Sequence, residues 1–118
     1  PAFGTKVTPS GEEPWMSYGV MGGAMQPQGH VQVLLNVVEF GMDLQEAVDQ
    51  ARFRHMSGLR VGLEAPIADS VKAKLKELGH EIVPLPFNSA GGSQAIIRLP
   101  RGYMAASDPR KDGMAAGH

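Results

Sequence analysis

The sequence predicts a mixed α+β fold. Two apolar stretches with helical spacing, each opened near a proline and closed by a glycine, alternate with short runs of strand-like alternation that end in Gly, Pro or Ser. No repeat, low-complexity segment or linker divides the 118 residues, so residues 1–118 are expected to form at most one domain. A chain of this size buries roughly two-thirds of its unfolded surface if it folds alone.

Trp15 to Val20 alternates as a strand, and glycines end it. Pro27 suits the first turn of a helix, because its missing N–H has no partner there. Val31, Leu34, Leu35 and Val38 then share one face, and Val33, Val37 and Phe40 make a second, so this helix is expected to be covered on both sides in a layered fold. Gly41 is its expected C-terminal cap. Asp43-Leu44-Gln45-Glu46 has capping-box spacing and predicts a short helix that turns Leu44, Ala47, Val48 and Ala51 inward. Arg52 to Met56 and Leu59 to Glu64 read as a hairpin around Ser57-Gly58. Pro66 is expected to open a helix that buries Ile67, Val71, Leu75 and Leu78 and stops at Gly79. Strands are predicted at Glu81 to Leu85, Gln94 to Leu99 and Tyr103 to Ser107, with Pro100-Arg101-Gly102 as the last hairpin turn.

Charge and composition exclude several classes. With 11 Lys+Arg against 12 Asp+Glu, no field favours nucleic acid or an anionic membrane, and the longest apolar run is too short to span a bilayer. Neither partner is expected. The absence of cysteine removes disulfides, thiolate metal sites and a cysteine nucleophile, and suits cytoplasm and periplasm equally. The chain opens Pro1-Ala2-Phe3-Gly4 without an initiator Met or a targeting stretch, from which a piece of a longer or processed protein is expected.

Gly22-Gly23, just ahead of a helix start, is the candidate site. Glycines adopt angles closed to other residues and let a ligand approach main-chain N–H groups, an arrangement acyl transfer uses to hold a developing oxyanion. An isolated Gly-Gly is also an ordinary tight turn. His30 has no second ligand at metal spacing and is read as structural, and His55, His80 and His118 are scattered. Arg52-Phe53-Arg54-His55 offers guanidiniums for a carboxylate, against a plainer role as solvated surface or as an ion pair within a larger subunit. Asp108-Pro109-Arg110 with Asp112-Gly113 reads as turn chemistry. Gly91-Gly92-Ser93-Gln94 is expected to be an exposed turn whose serine lacks a base. Met16, Met21, Met25 and Met42 are read as core packing around the glycine turn.

Taken in order, several segments resemble the C-terminal part of gamma-glutamyltranspeptidases. They are Gly19-Val20-Met21-Gly22-Gly23 with its helix, Met42-Asp43-Leu44-Gln45-Glu46-Ala47-Val48-Asp49, Gly79-His80, Gly91-Gly92-Ser93-Gln94-Ala95-Ile96 and Ala106-Ser107-Asp108-Pro109-Arg110. The resemblance implies part of an N-terminal-nucleophile hydrolase αββα sandwich, with antiparallel sheets flanked by helices. It implies that the chain is the C-terminal portion of a small subunit, and that Gly22 and Gly23 match the family's oxyanion-hole glycines. The nucleophile would be a threonine ahead of Pro1, because Thr5 and Thr8 lack the family's context. The implied partners are the large subunit, the remainder of the small subunit and a gamma-glutamyl or related acyl amide, with no metal or organic cofactor. The isolated piece is expected to be inactive, and self-association of the piece through exposed sheet edges is a third reading. Val20-Met21 stands where better-known transpeptidases have Ser-Pro, which brings the turn closer to the cephalosporin-acylase-like branch. The alternative is a non-catalytic binding or assembly module that keeps the fold.

Overall fold

A computed structural model describes residues 1–117; His118 lies outside the described residues. Strand β1 (Ala2–Thr8) turns at Pro9-Ser10 into β2 (Gly11–Met21), where the Thr8 hydroxyl donates to the Gly11 carbonyl at 2.8 Å. With β6 (Gly92–Arg98) and β7 (Tyr103–Ser107) they form an antiparallel sheet ordered β1-β2-β6-β7. The expected strand at Trp15 to Val20 is thus the inner half of a longer one, and β1 carries no sequence signal of its own.

On one face of this sheet lie α1 (Gln26–Val38) and α2 (Leu44–Asp49). Alternation along β2 turns Met16, Tyr18 and Val20 toward them, and these meet Val33, Leu44, Val48, Ala95 and Ala106 in one core. Burial of Val33 alone contributes about 1.5–3 kcal/mol. Met21, one step further along the strand, faces the other way and is half exposed, so it is not core; Met16 and Met25 are, and Met42 is half-buried.

The seat of α1 is set by Gly29, where an added Cβ would lie 2.6 Å from Val20 Cγ1. Only hydrogen lets the helix approach that closely. The inward face is therefore Gly29, Val33 and half-buried Val37. Val31, Leu35, Val38 and Phe40 remain exposed among the described residues, so the double covering expected of α1 is not present. Gly41, at φ 64°, turns the chain so that the Met42 N–H reaches the Asn36 carbonyl at 3.0 Å. The Asp43 capping box forms as expected: Asp43 accepts from the Glu46 N–H at 2.8 Å, and Glu46 accepts from the Asp43 N–H at 3.2 Å.

A second sheet holds β3 (Phe53–Ser57), β4 (Arg60–Leu63) and β5 (Glu81–Pro84). The predicted hairpin joins β3 to β4, but β4 and β5 run parallel, because α3 (Asp69–Glu77) carries the chain back between them. The expected antiparallel pairing holds for the first sheet and for β3–β4, and β4–β5 is a parallel pair beside them. Pro66 does not open α3; it sits in a turn closed by the Ile67 N–H on the Glu64 carbonyl, and the helix begins three residues later. Nor is the stripe buried: Ile67 and Leu75 are half covered, while Val71 and Leu78 face solvent.

Glutamines close two strand edges. Gln32 accepts from the Phe53 N–H at 3.0 Å and donates to its carbonyl at 2.9 Å, and Gln28, one turn earlier, does the same for His55 at 2.7 and 3.1 Å. Helix α1 therefore acts as a stand-in strand for β3. Gln45 treats Ser107 of β7 likewise.

Candidate active site

Strand β2 ends at Met21, and the chain turns through Gly22 (φ 129°) and Gly23 (φ 59°) into a short 3₁₀ turn, Gly23–Met25, that runs into α1. These angles belong to the left-handed side of the map, where a side chain is strained. The Gly22 carbonyl accepts from the Met25 N–H at 3.1 Å, which fixes the turn from within. No described residue accepts from the N–H of Gly22 or of Gly23, and both glycines are exposed. Two free donors at a strand-to-helix junction can stabilise a negative oxygen, and nothing lies within 4 Å of where a Gly23 Cβ would be.

Under this turn lies Gly91. The stretch Gly91-Gly92-Ser93 is buried rather than exposed as expected, because Gly92 and Ser93 pair with Met21 and Val20 in the sheet interior. Gly91 takes φ 79°, and its Cα is 3.1 Å from where a Gly22 Cβ would be. The Ser93 hydroxyl is buried without a partner. His30 stays structural: its Nδ1–H donates to the Gln26 carbonyl at 2.5 Å, and its ring lies 5.4 Å from that of Tyr18. The hydroxyls of Thr5 and Thr8 are occupied within the β1–β2 hairpin, the former by Glu12.

A buried ionic cluster lies beside the site, and of the readings open for Arg52 the ion pair is the one that forms, within this chain. Arg52 is 2% exposed, neither solvated surface nor available to a substrate, and it is paired with Asp108 at 2.7 Å. Its N–H donates to Glu64 at 2.7 Å, and its guanidinium donates to the carbonyls of Val48 at 2.9 Å and Ala90 at 3.2 Å. Arg110 grips Glu64 in a fork at 2.9 and 2.6 Å and Asp108 at 3.1 Å. Asp108 also accepts from the main-chain N–H groups of Ser93 at 2.7 Å and Arg110 at 2.9 Å. Asp108-Pro109-Arg110 is thus a turn, as read, whose two charged ends are the anchor. Two cations and two anions cancel, and the cluster joins α2, both sheets and the C-terminal turn. A linear reading offers an ion pair for Arg52 but not its partners; only the pairing of distant segments reveals Asp108, Glu64 and Arg110.

Burial alone would raise the Asp108 carboxyl, but the Arg110 N–H, the Arg52 charge and the Ser93 N–H outweigh it and hold it below its ordinary range. Burial likewise lowers Arg110, and hydrogen bonding to Glu64 with the Asp108 charge reverses this to a net rise. A carboxyl depressed on folding contributes stability that is whole above the unfolded value of about 3.9 and is lost as pH falls through the lower folded value. The urea midpoint is therefore expected to decline below about pH 4, and the Asp108→Asn variant to show a shallower decline. Equal acid slopes in the two proteins would remove Asp108 as the cause.

This sheet with two helices on one face is part of an N-terminal-nucleophile hydrolase sandwich, as comparison with solved structures shows. The chain superposes on gamma-glutamyltranspeptidase from Pseudomonas nitroreducens complexed with L-DON with a TM-score of 0.82 at 25% identity, covering 99% of this chain and 62% of that one. Against cephalosporin acylase from Bacillus halodurans the TM-score is 0.78 at 38% identity, covering 90% and 20%. The gamma-glutamyltranspeptidase family model matches residues 3–118, and the chain belongs to that family. It is 37% identical to the oxamate amidohydrolase proenzyme of Klebsiella pneumoniae over 111 residues, 87% of this chain and 21% of the relative. It is 32% identical to the glutathione hydrolase-like YwrD proenzyme of Bacillus subtilis over 117 residues, 91% and 22%. The chain spans about a fifth of the length of these curated relatives.

Proposed function

We propose that this chain is the C-terminal portion of the small subunit of an amide hydrolase or acyltransferase, and that the N–H groups of Gly22 and Gly23 form its oxyanion hole. The observation that carries this is the pair of unoccupied donors at left-handed glycines, in a member of an acyl-transferring family. In the full-length protein the nucleophile would be a threonine exposed by self-cleavage, outside residues 1–118. Its α-amine takes the hydroxyl proton as the oxygen attacks the amide carbon. The carbonyl oxygen becomes an oxyanion within reach of Gly22 and Gly23. Collapse expels the amine with that proton and leaves a threonyl ester, which water or a second amine cleaves.

The substrate is a gamma-glutamyl or related acyl amide. The amidohydrolase and acylase names among the relatives favour the wider class over glutathione alone. The sheet face opposite α1 and α2 supports a larger assembly: it carries a groove of about 540 Å³ lined in part by Phe3, Trp15, Ile96 and Tyr103, a surface suited to a second sheet.

Full-length protein is expected to yield a small subunit that begins with threonine and to release nitroaniline from a gamma-glutamyl anilide, while residues 1–118 alone release none. Cleavage without turnover would redirect the search to other acyl amides. Absence of both would replace the proposal with a non-catalytic module, and turnover by residues 1–118 alone would refute the assignment of the nucleophile.

A further inference from the structure

We infer that Gly91 is a positioning residue for the donor turn, because only a residue without a side chain there leaves the Met21–Gly22 peptide in its plane; this rests on the reading of Gly22 and Gly23 as acyl-transfer donors. A Cβ at Gly91 would lie 2.5 Å from the Met21 carbonyl oxygen, 2.8 Å from Val20 Cγ1 and 3.4 Å from Met25 Cγ. The Met21 carbonyl and the Gly22 N–H belong to one planar trans unit and point in opposite directions. A side chain at Gly91 that displaced that oxygen would therefore re-aim the N–H on the other side of the peptide. Likewise a Cβ at Gly22 would lie 3.1 Å from the Gly91 Cα, so neither position has free room for a side chain.

Gly91 is itself held in place. The residue before it, Ala90, is fully buried, and its carbonyl accepts from Arg52 at 3.2 Å, the same guanidinium that pairs with Asp108 at 2.7 Å. The ionic cluster thus ends, through one carbonyl, against the back of the candidate oxyanion hole. Neither the paired glycines nor the turn-forming DPR segment reveals this link, because Gly91 lies 69 positions beyond Gly22 in the chain. A donor must come within about 2.7–3.1 Å of the oxyanion, so a small rotation of the peptide costs rate more than substrate affinity.

The test is Gly91→Ala in the full-length protein, with Gly102→Ala as control. Gly102 has a similar φ of 85° but nothing within 4 Å of its Cβ position, so it reproduces the backbone strain without the contact. Contacts below 3.0 Å are essentially never seen for a real Cβ, so in Gly91→Ala either the Met21 oxygen or the backbone at residue 91 must shift, and we assign the shift to the Met21–Gly22 peptide. The expected result is a kcat lower by about ten- to a hundredfold per mole of folded protein, with KM changed less than about threefold, and parental kinetics for Gly102→Ala. Where Gly91→Ala yields too little folded protein, Val20→Ala is added; it removes the collision with Val20 Cγ1 and keeps the one with the carbonyl. The crystal structure of either variant is expected to show the Met21–Gly22 peptide rotated. Parental kcat, or an unmoved peptide, would overturn the role of Gly91. Should the parent turn over no acyl amide, the functional reading fails, and the crystal structure alone still decides whether Gly91 sets the turn.

Discussion

Asp108→Asn is expected to destabilise the protein by about 3–5 kcal/mol, because it leaves a net positive charge in a buried cluster built to be neutral. Asp108 is 1% exposed and meets Arg52 at 2.7 Å and Arg110 at 3.1 Å. With the carboxylate gone, two guanidiniums lie close together in a site that water does not reach. A typical domain has only about 5–15 kcal/mol in total, so the loss is a large share of it. The comparison is Glu13→Gln, which breaks a half-exposed pair with Arg98 at 3.4 Å and is expected to cost less than about 1 kcal/mol. Urea denaturation of both variants measures the difference. Equal losses would mean that the cluster is no more than surface charge. Adding Arg52→Met to Asp108→Asn removes one unpaired cation and should recover part of the stability, the sign expected for charges that act as a unit.

The second large effect falls on rate. Gly22→Ala in the full-length protein is expected to lower kcat and kcat/KM together, on the order of a hundredfold, with substrate binding nearly intact. A side chain at φ 129° is strained, and its Cβ would press on the Gly91 Cα at 3.1 Å. Both stresses turn the adjoining peptides, and with them the donors. An increase in KM alone would instead place the turn in ground-state binding.

Some of this was legible in the sequence, and the reasons differ between elements. Caps and hairpin turns are local chemistry, so the Asp43–Glu46 box, Gly41 and the turn at Pro100-Arg101-Gly102 are found where the sequence puts them. The facing of α1 was not legible, because it has two apolar faces and the choice belongs to Gly29 against Val20, a contact between segments. Strand β1 escaped because it is a largely exposed edge strand, defined by pairing with β2 rather than by its own pattern. The ionic cluster was hidden for a related reason. Glu64, Arg52, Asp108 and Arg110 look like ordinary polar residues until folding removes them from water, when each needs the others. Family order singled out Gly22 and Gly23, while Gly91 required the fold.

The central claim is that the main-chain donors of this turn meet the reacting oxygen. The most direct test is a crystal structure of the full-length protein carrying a carbonyl inhibitor trapped as a tetrahedral adduct on its nucleophile. The adduct oxygen is expected at about 2.7–3.1 Å from the nitrogens of Gly22 and Gly23. An adduct whose oxygen lies beyond about 4 Å from both nitrogens and is bound by other donors would contradict the assignment.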